Sequence, residues 1–104
     1  MSKSGNAIAE DRIILTLYVA GAHPGSERAI ANIEQIRSRY LGERCLVRVV
    51  DVVARPEAAA AARVMATPTL VREQPLPERR IIGDLADFEA VLKALGASRQ
   101  DNND

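Results

Sequence analysis

The first apolar run of the chain, RIILTLYVA at 12–20, strings Ile, Leu, Val and Tyr together almost without a polar break. Such a run suits a strand covered on both faces, as in a parallel or mixed sheet. A turn of glycines and proline, GAHPGSE, follows. SERAIANIEQIRSRYLG at 26–42 then takes up a helical period, with Ile30, Ile33, Ile36 and Tyr40 near one face and Glu34, Arg37 and Arg39 away from it. Pro24 or Ser26 marks its start and Gly42 its end. CLVRVVDVV at 45–53 reads as a second buried strand. RPEAAAAARVMA reads as a short helix, with Pro56 in its first turn and Glu57 complementing its dipole. Alanine favours helix but buries little apolar area, so this helix is expected to be weakly anchored. TPTLVRE is a third strand opened by Pro68, QPLPE a turn and RRIIGD a fourth strand. DLADFEAVLKALG is the clearest helix, with Leu85, Phe88, Leu92 and Leu95 spaced 3, 4 and 3, Asp84 as its cap and Gly96 as its end. Residues 1–11 read as a flexible tail and 97–104 as a disordered one, leaving 12–96 as one domain.

Composition narrows the function classes. The chain has 104 residues, 47% of them hydrophobic and 27% charged, with a formal net charge of zero. That describes an ordinary globular domain with no global pull toward nucleic acid or an anionic membrane. No 18-residue apolar run is present, so no membrane span is expected. The N-terminus lacks the apolar stretch of a secretory signal. Cys45 is the single cysteine and cannot form an internal disulfide, which points to a reducing, cytoplasmic setting. Two tyrosines, one phenylalanine and no tryptophan are too few for a base-stacking platform.

The order β-α-β-α-β-β-α is that of a thioredoxin-like domain, a mixed four-stranded sheet with three helices. In that fold a cis-proline opens the third strand and faces an end of the first helix. Thr67-Pro68 stands in that place, so a structural cis bond is expected at Pro68. Thioredoxin chemistry also needs two thiols at the start of the first helix. Here that turn reads Ala22-His23-Pro24-Gly25-Ser26, and dithiol redox activity is excluded by composition.

Other chemistry finds little support. His23 is the only histidine and reads as polar loop surface, although with Ser26 it forms the one arrangement a non-thiol enzyme could use. No metal-ligand spacing is present, and no phosphate-cradling glycine motif. Asp84 and Asp87 suit capping better than a catalytic carboxylate pair. Arg79-Arg80 suits either an anionic partner or a solvated strand flank. Cys45 reads as a small buried hydrophobe. The expectation is therefore a protein without catalytic residues, metal or cofactor.

Three stretches together carry a more specific resemblance. LTLYVAG ends the first strand, VRVVDVVARPEAA joins the second strand to the second helix, and MATPTLV followed by RRIIGDL spans the hairpin and the approach to the last helix. As a set, and with the thiols missing, the chain resembles the KaiB family of clock proteins over residues 13–92. The resemblance implies a binding module that docks on the ring of a KaiC-like hexameric ATPase and modulates its ATPase and phosphorylation cycle. It further implies a KaiA-like protein or a competing histidine kinase as additional partners. It also implies a metamorphic chain, with a tetrameric ground state ordered β-α-β-β-α-α-β as the alternative fold. On the matched motifs, the partner-binding candidates are Arg28, Arg63, Thr67, Arg72, Arg79, Arg80 and Asp84, all expected to be exposed. The rival reading is a sensor or stress-response module that binds another partner.

Local propensity bears on which fold is at rest. The five alanines at 58–62 are together worth on the order of 1–2 kcal/mol of helix preference. The helical period at 85–95 opposes conversion of that segment to strand. Both favour a resting thioredoxin-like domain, monomeric or weakly associated.

Overall fold

The computed structural model describes residues 12–96, and both predicted tails lie outside the described residues. The elements run β1 (Ile13–Val19), α1 (Pro24–Ile36), β2 (Cys45–Asp51), α2 (Pro56–Ala62), β3 (Thr69–Gln74), β4 (Arg79–Ile82) and α3 (Phe88–Leu95). This is the thioredoxin-like order expected from the sequence. The strands lie in the order β2-β1-β3-β4. β1 and β2 are parallel, as their crossover through α1 requires, while β1 with β3 and β3 with β4 are antiparallel.

One core holds the sheet to two helices. On β1, Leu15, Leu17 and Val19 point to the same face and meet Ala29, Ile33 and Ile36 of α1 and Val91, Leu92 and Leu95 of α3. Leu15, Leu17, Ile33 and Ile36 have no exposed surface, and each fully buried side chain of this size contributes roughly 1.5–3 kcal/mol. Thr16 and Tyr18 alternate onto the second face. Arg80 of β4 sits opposite Val71, which sits opposite Thr16, and its guanidinium bonds the end of α2. That places α2 on the second face. None of its residues is buried, in keeping with the weak anchoring expected of an alanine helix.

Three expectations need correction. β2 is not a buried strand: it is the outermost strand, with Leu46 46% and Val49 47% exposed, because only β1 flanks it. The first helix keeps its expected end at Gly42, but its last stretch, Arg37–Leu41, is a wider π-turn, and a 3₁₀ turn at Gly42–Arg44 completes the passage to β2. The helix expected from Asp84 onward begins at Phe88, because Leu85 turns to φ +66 and buries its side chain in the core. Its cap is therefore Asp87, whose Oδ1 accepts the Ala90 N–H at 3.1 Å. The bond before Pro68 is cis as expected, and the bonds before Pro75 and Pro77 are cis as well.

Candidate functional site

The turn where a thioredoxin-like domain carries its thiols is built here from a different set of contacts. Pro24 occupies the first turn of α1, where a missing N–H costs nothing. Ser26 is buried, and its Oγ accepts the Ala20 N–H at 3.1 Å, which ties the end of β1 to the helix. His23 precedes the helix in extended conformation and makes no side-chain capping bond, while its carbonyl accepts the Glu27 N–H at 3.0 Å. Ser26 thus serves as a buried brace and His23 as exposed surface. Cys45 lies elsewhere, buried at the start of β2, where burial pushes its thiol up to about 11. A thiol held protonated at neutral pH is a poor nucleophile.

Next to this turn, Asp51 organises the loops at the ends of β1 and β2. Its Oδ1 accepts the Gly21 and Val53 N–H groups, each at 2.9 Å. The Val53 bond first, and then the Gly21 bond, hold its carboxyl below the usual range. Gly21 has φ +62, which suits a residue without Cβ at this tight exit from the sheet. Asp51 stands in the VRVVDVVARPEAA stretch, and an Asp whose side chain bonds the N–H two residues on is a recognisable turn signature.

The seven partner-binding candidates fall into distinct places. Arg28 on α1 and Asp84 beyond β4 come together, with Nε 3.1 Å from Oδ2. Asn32, one turn on from Arg28, donates to the Asp84 carbonyl at 2.8 Å, and Asp84 Oδ1 accepts the Ala86 N–H at 3.1 Å. This loop edges a shallow groove of about 330 Å³ whose walls include Ile81, Ile82, Leu85, Ala90 and Val91. Ile82 is 69% exposed there.

At the other end of β4, Arg80 donates to the carbonyls of Ala62 and, at 3.1 Å, of Arg63, while its Nε pairs with Glu78 at 2.8 Å. Arg63 itself is exposed, in the left-handed conformation that ends α2. Thr67 is half-buried in the segment before β3. Arg79 is exposed and forms no ion pair among the described residues.

Arg72 corrects the expectation of exposure. It is 6% exposed, pointing into the α3 side of the sheet, where Nη1 donates to the Leu95 carbonyl and Nη2 to the Pro77 carbonyl at 2.6 Å. Its Nε has no partner among the described residues. Burial lowers its pKa, and Arg79, its partner across the β3–β4 ladder, acts in the same direction. Arg72 therefore joins the hairpin turn to the end of α3 from inside the domain. Its place on an apolar-flanked strand looked, in sequence, the same as that of an outward-facing arginine.

On the second face, Thr16 Oγ1 donates to Glu73 Oε2 at 3.1 Å. Burial, with Glu73 next, raises the pKa of Tyr18. No group of His, Cys, Asp and Glu among the described residues is placed to hold a metal ion.

Fold and site together define a thioredoxin-like domain whose redox turn is replaced by structural hydrogen bonds. Its fold neighbours include chloroplastic thioredoxin z, with a TM-score of 0.67 at 21% identity over 93% of this chain and 90% of that one. The N-terminal domain of Synechococcus elongatus SasA is also similar, with a TM-score of 0.66 at 22% identity over 82% of this chain and 84% of that one. The family model of the KaiB domain matches residues 16–97. The circadian clock protein KaiB3 of Synechocystis sp. is 42% identical over 82% of this chain and 83% of its own length. The circadian clock oscillator protein KaiB of Synechococcus elongatus is 45% identical over 79% of this chain and 80% of its own length. The chain belongs to the KaiB family of circadian clock proteins.

Proposed function

We propose that this protein is a non-catalytic timing module that docks on the N-terminal ring of a KaiC-type hexameric ATPase and alters its ATPase and phosphorylation cycle. The observation that carries the reading is membership of the KaiB family together with a thioredoxin-like fold whose thiol turn is occupied by the Ser26 brace. The proposed contacts are Arg28 and Asp84 where α1 meets the segment after β4, Arg79 on β4, and Arg63 and Thr67 between α2 and β3. Arg80 is a further candidate but also holds α2, so its substitution would report on two effects at once. Arg72 is left out because it is buried. Binding would act through charge and shape, and a conformational step before docking would make association slow. The experiment is to add the purified chain to the KaiC-type ATPase of the same organism with ATP and to follow hydrolysis over a day. A changed hydrolysis rate supports the reading. An unchanged rate, with both proteins intact, removes it.

A further inference from the structure

We propose that α2 is a detachable strap, held to the sheet chiefly by Arg80, that opens on its own while the four-stranded sheet stays paired. The proposal begins with the composition of α2. It has seven residues, five of them alanine, and none is buried. A helix of this length is far too short to persist alone in water. Of the larger side chains flanking it, Val53 is 71% and Met65 93% exposed, and Val52 and Val64 are only half-buried.

Its ends are held in contrasting ways. At the N-terminus Arg55 offers no capping side chain, and the Arg55–Glu57 ion pair at 3.3 Å is solvent-exposed. At the C-terminus the Arg63 N–H donates to Ala60 and the Val64 N–H to Ala59, a closing pattern that usually places glycine where Arg63 stands at φ +57. Further on, the carbonyls of Ala62 and Arg63 have no donor within the helix. Both are taken by Arg80 from β4, 18 and 17 positions away. One guanidinium therefore supplies the donors, and the favourable positive charge, that the helix end lacks. α1 and α3, by contrast, sink isoleucines, leucines and a valine into the common core.

This asymmetry separates two levels of opening. Unpairing β3 or β4 exposes the core around Leu70 and breaks a ladder. Lifting α2 breaks the Arg80 contacts and bares the face of the sheet that carries the buried Thr16, Tyr18 and Val71, while the ladders and the core on the other face stay in place. Local opening of low cost is expected where few apolar contacts hold an element.

Amide hydrogen exchange of the full chain, read residue by residue, tests the strap directly. In the wild type, the amides of Ala58, Arg63 and Val64 are expected to exchange well before those of Leu15, Leu17 and Leu70. Arg80→Gln is expected to speed the α2 amides on the order of tenfold, the worth of a typical hydrogen-bonded contact, with the β1 and β3 amides unchanged. Arg63→Gly, which relieves the left-handed residue, is expected to slow the same amides. Equal protection of α2 and β1 in the wild type would overturn the proposal, and that reading stands even if a variant fails to fold. So would an Arg80→Gln effect spread evenly over the whole domain, or none at all.

Discussion

Arg28 and Asp84, 56 positions apart in sequence, meet as an ion pair with Nε 3.1 Å from Oδ2, joining α1 to the segment between β4 and α3. The pair is solvated, with 62% of the Arg28 side chain and 34% of the Asp84 side chain exposed. Exposed pairs contribute about 0.2–1 kcal/mol. Arg28→Ala is therefore expected to change unfolding free energy by less than about 1 kcal/mol while weakening partner binding. Denaturant titration gives the first quantity. A loss of several kcal/mol would assign Arg28 to the architecture rather than to the proposed surface.

Arg72 and Arg79 face each other across the β3–β4 ladder, yet their substitutions should differ sharply. Truncating Arg72 leaves the Leu95 and Pro77 carbonyls without their donors, so Arg72→Ala is expected to cost about 2–4 kcal/mol. Arg79 is exposed and has no ion pair among the described residues, so Arg79→Ala should stay within about 0.5 kcal/mol. Similar costs at the two sites would contradict the assignment of Arg72 to the interior.

Asp51 sets an expected pH dependence. Its backbone hydrogen bonds lower its folded pKa below the unfolded value. The stability it lends is then present above the unfolded value, near 4, and lost as pH falls through the folded one. The stability gap between wild type and Asp51→Asn should be full at pH 7 and narrow on acidification below about pH 4. A gap that is constant across this range would show that the carboxylate charge plays no part.

Much of this domain was legible in sequence because apolar period and turn residues agree. The run at 12–20 sits at the centre of the sheet, and the 3.6-residue period of Ile33 and Ile36 marks the buried side of α1. What escaped was set by position in the sheet or by side-chain reach. The apolar residues of β2 look like those of β1, and only strand order shows that Leu46 and Val49 line an outer strand. Asp84 and Asp87 offer equivalent capping patterns, and the left-handed turn at Leu85 selects the second. Among the candidates, sequence brought Arg28 and Asp84 into one set through the matched motifs. It could not show that Arg72 turns inward or that Arg80 holds α2, because both depend on contacts 17 or more residues away.

Cys45 provides a check on the absence of thiol chemistry at the first helix. Burial and a raised pKa predict slow labelling by a thiol reagent in the folded protein at pH 7.5 and fast labelling once unfolded. The protein is likewise expected not to reduce insulin disulfides in the presence of a dithiol donor. Rapid native labelling together with insulin reduction above a Cys45→Ala control would reopen the redox reading.

The most direct test of the account is the size of the complex formed with the N-terminal ring of a KaiC-type ATPase from the same organism. Purified chain and ring are incubated with nucleotide for a day and measured by light scattering after size separation, alongside Arg28→Glu and Arg79→Glu variants whose folding is verified by circular dichroism. The account predicts a complex larger than the ring alone with the wild type, and a diminished one with the charge-reversed variants. A ring whose size is unchanged after a day with folded wild-type protein would contradict it.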